Sequence, residues 1–91
     1  MRTVQVRIEG RVQGVGYRVW MERTAIEHGL RGWVRNRRDG TVEAVIEGPD
    51  ADVAAMLEAC RQGPRGAVVE RAEAVADVEG GFTGFEVRET V

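Results

Sequence analysis

The sequence predicts an α+β fold with two helices on one face of a mostly antiparallel sheet. Three observations carry that prediction. Near the N-terminus, apolar Val4, Val6 and Ile8 alternate with polar residues at the period of a strand. Two later segments repeat apolar residues at helical spacing: Tyr17, Met21 and Ala25, then Val53, Met56, Leu57 and Cys60. Between them lie two strand-like runs joined by Arg38-Asp39-Gly40, and Asp-Gly is a strong hairpin signal.

Taken in order, the first strand is half-buried because Gln5, Arg7 and Glu9 fall on its opposite face. The glycine-rich stretch GRVQGVGYR, residues 10–18, follows it. A helix then spans about Tyr17 to His28, with Gly29 as its left-handed terminator and Leu30 packing just beyond. Residues 31–37 and 41–47 are the hairpin strands. Gly48-Pro49-Asp50 is a helix-start cluster, and the second helix ends at Gly63-Pro64. Residues 67–78 (AVVERAEAVADV) have no clear period, but their valines favour a strand whose register stays open. Residues 82–88 (FTGFEVR) give a short last strand. The order is β-α-β-β-α-β plus that short strand, a split βαβ or ferredoxin-like sandwich. No linker, repeat or low-complexity tract interrupts it, so residues 1–91 are expected to form a single domain.

Composition narrows the function. A hydrophobic fraction of 43% suits a globular chain. No run approaches the roughly 18 apolar residues of a membrane span. The N-terminus has no signal-peptide hydrophobic stretch, so a cytoplasmic location and no membrane partner are expected. One cysteine and one histidine build neither a disulfide nor a zinc site, so no metal or other cofactor is expected. A net charge of −2 argues against nucleic acid as a partner. That charge is unevenly spread. Residues 1–40 hold nine arginines against four acids, and residues 41–91 hold four arginines against eleven acids. An anion site in the first half fits this distribution, and the acids of the second half read as solvated faces.

Arg18 marks where that site lies. It falls in the first turn of the first helix, where the helix dipole favours acids over cations. A bound anion removes the conflict. Gly14 and Gly16 permit positive φ and close approach of a ligand to the backbone. Successive N–H groups from Gln13 through Gly14, Val15, Gly16 and Tyr17 to Arg18 form a nest for an oxyanion. The helix N-terminus reinforces it, and the Arg18 guanidinium adds a bidentate grip. Topology supplies one more residue. A right-handed crossover makes the second strand parallel to the first, so its end, near Asn36, arrives at the same sheet edge as the loop. Arg37 and Arg38 lie on that rim. Asn36 can hold a water in place without deprotonating it. Trp33 reads as core or as a cross-strand partner, Cys60 as a core position, and His28 as a helix C-terminal residue far from the loop.

Two of these stretches carry a resemblance. GRVQGVGYR resembles the first motif of the acylphosphatase family, and GWVRNRRDGTVEAVIEG, residues 32–48, resembles the second. CRQGPRGAVV, residues 60–69, is similar to the family's segment after its second helix, and FEV near the C-terminus to its last strand. The resemblance spans nearly the whole chain and implies the ferredoxin-like fold. It implies that Arg18 is the phosphate-binding arginine, that residues Gln13 to Tyr17 form the phosphate cradle, and that Asn36 positions the attacking water. Tyr17 stands where many members have phenylalanine, so its hydroxyl needs a partner.

The resemblance further implies a hydrolase; a monomer that needs no cofactor is expected. Its substrate is a small acyl phosphate and its products are a carboxylate and inorganic phosphate. The alternative is a non-catalytic anion-binding or regulatory domain on the same fold, since a fold alone does not fix function.

Overall fold

The computed structural model describes all of residues 1–91. Its elements are β1 (Arg2–Arg11), α1 (Tyr17–Glu27), β2 (Arg31–Asn36), β3 (Val42–Gly48), α2 (Asp50–Gln62), β4 (Val68–Asp77) and β5 (Phe85–Val87). They form one sheet in the order β4-β1-β3-β2-β5. Every pairing is antiparallel except β2 with β5. Both β1 and β2 run antiparallel to β3, so they run in the same direction, as the crossover rule requires.

The core lies between the helices and one sheet face. Val4, Val6 and Ile8 of β1, Val34 of β2, and Val42, Ala44 and Ile46 of β3 are each fully buried there. Tyr17, Met21 and Ala25 face them from α1, and Val53, Met56, Leu57 and Cys60 from α2. The apolar periods in the sequence thus mark the surfaces that meet. Gly29 closes α1 with φ 68°, and Leu30 is buried behind it. The Asp39-Gly40 turn is held by Asp39, whose carboxylate accepts from the Thr41 N–H at 2.9 Å and the Thr41 hydroxyl at 2.7 Å.

The opposite sheet face corrects one expectation. Glu43 and Glu47 belong to the acid-rich half, yet both are buried, 9% and 5% exposed. Glu43 accepts from Gln5 Nε2 at 2.6 Å, Arg35 Nε at 2.7 Å and an Arg37 guanidinium nitrogen at 3.0 Å. Burial by itself raises its carboxyl pKa, but these donors outweigh burial and hold it below the usual range. Glu47 accepts from the Gly81 and Phe82 N–H groups and from the Thr3 hydroxyl. Trp33 also sits on this face, outside the main core. The Arg35 and Arg88 guanidinium carbons lie 4.6 and 4.8 Å from its ring centroid.

Two strands differ from the sequence expectation in detail. The last strand shortens to Phe85–Val87, and the Phe82 N–H at the start of the expected strand donates to Glu47 instead. β4 pairs with β1 from Val4↔Asp77 to Arg11↔Val68, with shifts in register at Gln5/Val6 and Glu9/Gly10. Those bulges and its edge position leave Ala72 as its one buried residue, which explains the missing period.

Candidate active site

β1 carries the chain to Val12, whose side chain is 1% exposed. The loop then turns at Gly14 (φ 74°) and Gly16 (φ 79°). This left-handed region costs other residues about 1–2 kcal/mol. Gly16 is the N-cap of α1 and offers no side chain to cap it, and no acid lies in the first turn. The first helical hydrogen bond runs from the Trp20 N–H to the Gly16 carbonyl at 3.1 Å, and the N–H groups from Gly14 to Val19 donate to no backbone acceptor. The uncapped helix end is therefore a set of free, converging donors.

Arg18 adds a charge to them. It is half-buried and takes part in none of the protein's ion pairs. Asn36 closes the site from β2. It lies on the helix-covered side of the sheet, in register with Val42, and is 8% exposed. Its Oδ1 is the protein's one buried side-chain polar atom without a hydrogen-bond partner. A buried acceptor left unpaired costs about 1–3 kcal/mol, so its presence calls for a role.

Val12, Gln13, Gly14, Gly16, Tyr17, Arg18, Val19 and Asn36 line a cavity of about 80 Å³. Five of the six residues named for the cradle meet there with Asn36. Val15 does not line it; its side chain packs against the core. Two larger concavities, about 310 and 330 Å³, lie beside β5 and along β4. Of their charged side chains, Arg88 pairs with Glu86, Arg61 with Glu58 and Arg71 with Glu73, and Glu70 alone stands outside an ion pair.

The acylphosphatase family profile matches residues 4–87. The chain belongs to the acylphosphatase family. It is 60% identical to the acylphosphatase of Azorhizobium caulinodans over 90 residues, covering 98% of this chain and 97% of that one. It is 53% identical to the acylphosphatase of a Synechococcus species over 97% of this chain and 94% of that one. The crystal structure of acylphosphatase from Bacillus subtilis superposes with a TM-score of 0.91 at 32% identity, over 97% of this chain and 99% of that one.

Within this acylphosphatase fold, further contacts hold the site in place. The Tyr17 hydroxyl finds the partner it needs in the Cys60 carbonyl, at 2.7 Å. Burial raises the Tyr17 pKa and pushes the Cys60 thiol up to about 12, so both stay protonated. Of the two rim arginines, Arg37 is bound to Glu43, while Arg38 is exposed and free of any ion pair. His28 lies away from the cavity, 3.8 Å from Asp52. Sequence reasoning missed one contact altogether. The Gln13 side-chain amide donates to the Arg37 carbonyl at 2.7 Å and to the Thr41 carbonyl at 2.8 Å. Its partners are main-chain atoms of the β2–β3 turn, and main-chain partners leave no residue-type signal to read.

Proposed function

We propose that this chain hydrolyses acyl phosphates to a carboxylate and inorganic phosphate. One observation carries the reading: Asn36, whose buried Oδ1 acceptor has no partner, lines the same cavity as a cluster of unpaired donors. A module that only binds anions needs the donors. An acceptor in the same cavity suits a water molecule, which must donate a hydrogen bond while its oxygen lone pair points at phosphorus.

In this reading the phosphoryl oxygens lie against the Gly14–Arg18 N–H groups and the Arg18 guanidinium, with the chain at Gln13 opening the cradle. The phosphoryl group in transfer is largely metaphosphate-like, so catalysis rests on position and charge stabilisation. Asn36 Oδ1 accepts one water hydrogen and fixes the water in line with the leaving oxygen. The water oxygen bonds to phosphorus as the P–O bond to the acyl group breaks, and that electron pair leaves on the carboxylate. A carboxylate is stable as an anion, so no general acid is needed. The water proton passes to a phosphate oxygen, which gives inorganic phosphate. Arg18 and the loop N–H groups supply the charge stabilisation, so the scheme assigns no step to a metal or cofactor.

The same reading has residues 1–91 acting as one domain, as a monomer in the cytoplasm. All strands belong to one sheet and both helices pack on one core, which supports the first point.

The test is hydrolysis of benzoyl phosphate in EDTA by the wild type and by Asn36→Ala. Activity that survives chelation and falls at least about a hundredfold in the variant is expected. Full activity in Asn36→Ala would remove the water-positioning role. An inactive wild type that phosphate still protects against heating would favour the regulatory-domain alternative.

A further inference from the structure

The cradle and the asparagine lie on different elements, and nothing in the helix itself fixes their separation. The loop precedes α1, while Asn36 ends β2. For in-line attack the phosphorus and the water must be held at a set distance, so the two elements need a brace. The Gln13 amide is the direct side-chain link between them. It spans from the loop to the main chain on both sides of the β2–β3 turn, at Arg37 and Thr41. Arg37 is the residue next to Asn36. Both bonds are short and part-buried, and one Nε2 supplies both hydrogens.

We infer that the Gln13 side chain is a positioning residue, which sets the distance between the phosphate cradle and the Asn36-held water. This inference rests on the hydrolase reading above. It differs from a contribution of the Gln13 backbone to the cradle, because the side-chain donors face away from it, into the turn. It also differs from a simple stability contact, because its loss should separate binding from turnover. Phosphate binding uses the loop and Arg18, which remain together when the brace is gone. Turnover uses the loop and Asn36, which do not.

Gln13→Met keeps the length and packing of the stem and removes both donors. It should bind inorganic phosphate within about threefold of the wild type while kcat for benzoyl phosphate falls about ten- to hundredfold, the scale expected for a displacement near 1 Å. In an Asn36→Ala background the same change should cost less than about twofold, since residues acting as a unit are strongly non-additive. A second readout does not depend on turnover. Adding phosphate should shift the NMR signals of both the Gly14 and Gly16 amides and the Asn36 side-chain amide. In Gln13→Met the loop shifts should persist and the Asn36 shift should fall by at least half. Gln13→Glu, with a carboxylate against two carbonyls, should be worse than Gln13→Met in both readouts.

A folded Gln13→Met with wild-type kcat, or with additive losses in the double variant, overturns the inference. So does an unchanged Asn36 shift. A wild type that binds phosphate but hydrolyses nothing overturns the hydrolase reading instead, and the Asn36 shift then decides the brace on its own.

Discussion

The Tyr17 hydroxyl donates to the Cys60 carbonyl at 2.7 Å, across the core from the start of α1 to the last turn of α2. The helical partner of that carbonyl would be the N–H of residue 64, which is proline and has none. Tyr17 therefore supplies the donor that Pro64 lacks, and it does so one residue before Arg18. Tyr17→Phe leaves the buried carbonyl unpaired at nearly constant volume. It should lower stability by about 1–3 kcal/mol, measured as the urea midpoint at constant m-value. Activity of the folded variant at low temperature should stay near wild type, because the hydroxyl is turned into the core and away from the cavity.

Arg18 is the one charged side chain of the cavity, so its substitutions should separate charge from shape. Arg18→Gln should lose phosphate binding and about a hundredfold or more in kcat/KM. Arg18→Lys keeps the charge but not the planar fork, and should recover only a small part of that loss. Isothermal titration with phosphate and initial-rate kinetics check both. Lysine at wild-type efficiency would mean that Arg18 acts as a point charge alone.

Much of this arrangement was legible in the sequence, because it follows from period and topology. Val4, Val6 and Ile8, and the two helical stripes, are the residues that pack together. The crossover rule alone brought Asn36 to the loop. What stayed illegible depends on contacts between distant residues. Glu43 and Glu47 looked like surface acids, since nothing local shows that Gln5, Arg35, Arg37 and the 81–82 backbone will close over them. The β4 register was lost to two bulges in β4 itself, where the extra residues Val75 and Glu70 break its alternation against β1. The Gln13 brace ends on main-chain carbonyls, which every residue type possesses.

Two glycines with positive φ should respond differently to alanine. At Gly14 (φ 74°) an added Cβ meets nothing within 4 Å, so Gly14→Ala carries only the conformational cost of about 1–2 kcal/mol. At Gly32 (φ 135°) the same Cβ would lie 1.9 Å from the Val45 carbonyl oxygen, in the middle of the sheet. Gly32→Ala must force β2 and β3 apart and should be the more destabilising of the two by at least about 1–3 kcal/mol. Thermal unfolding of the pair decides it. Equal midpoints would mean that the sheet yields more easily than its register implies.

Acid should unfold the protein through the open sheet face. Hydrogen bonds from Arg35, Gln5 and Arg37 outweigh burial and lower the Glu43 pKa. The Gly81 N–H and its neighbours lower that of Glu47. For a carboxyl whose folded pKa lies below its unfolded value, the stabilisation is complete above the ordinary glutamate value of about 4.3 and is lost as pH falls through the lower folded value. The urea midpoint should therefore hold between pH 7 and 5 and drop steeply below pH 4. Glu43→Gln should be less stable at pH 7 and show a shallower fall. An unchanged acid slope in that variant would assign the transition to other carboxyls.

The rim arginines differ in what they are free to do. Arg37 is held by Glu43 at 3.0 Å, whereas Arg38 is exposed, without an ion pair, and anchored only through its backbone. A free cation beside an anion site raises the rate of encounter without touching the bound substrate. Arg38→Ala should lower kcat/KM by about twofold to fivefold at low ionic strength and leave kcat unchanged. At several hundred millimolar salt, where the Debye length is only a few Å, the difference should vanish. Arg37→Ala should instead show up in stability, since it takes one of three donors from buried Glu43. Stopped-flow or initial-rate kinetics across a salt series separates the two. A salt-independent defect in Arg38→Ala would mean that Arg38 touches the substrate, and a fall in its kcat would place it in the site itself.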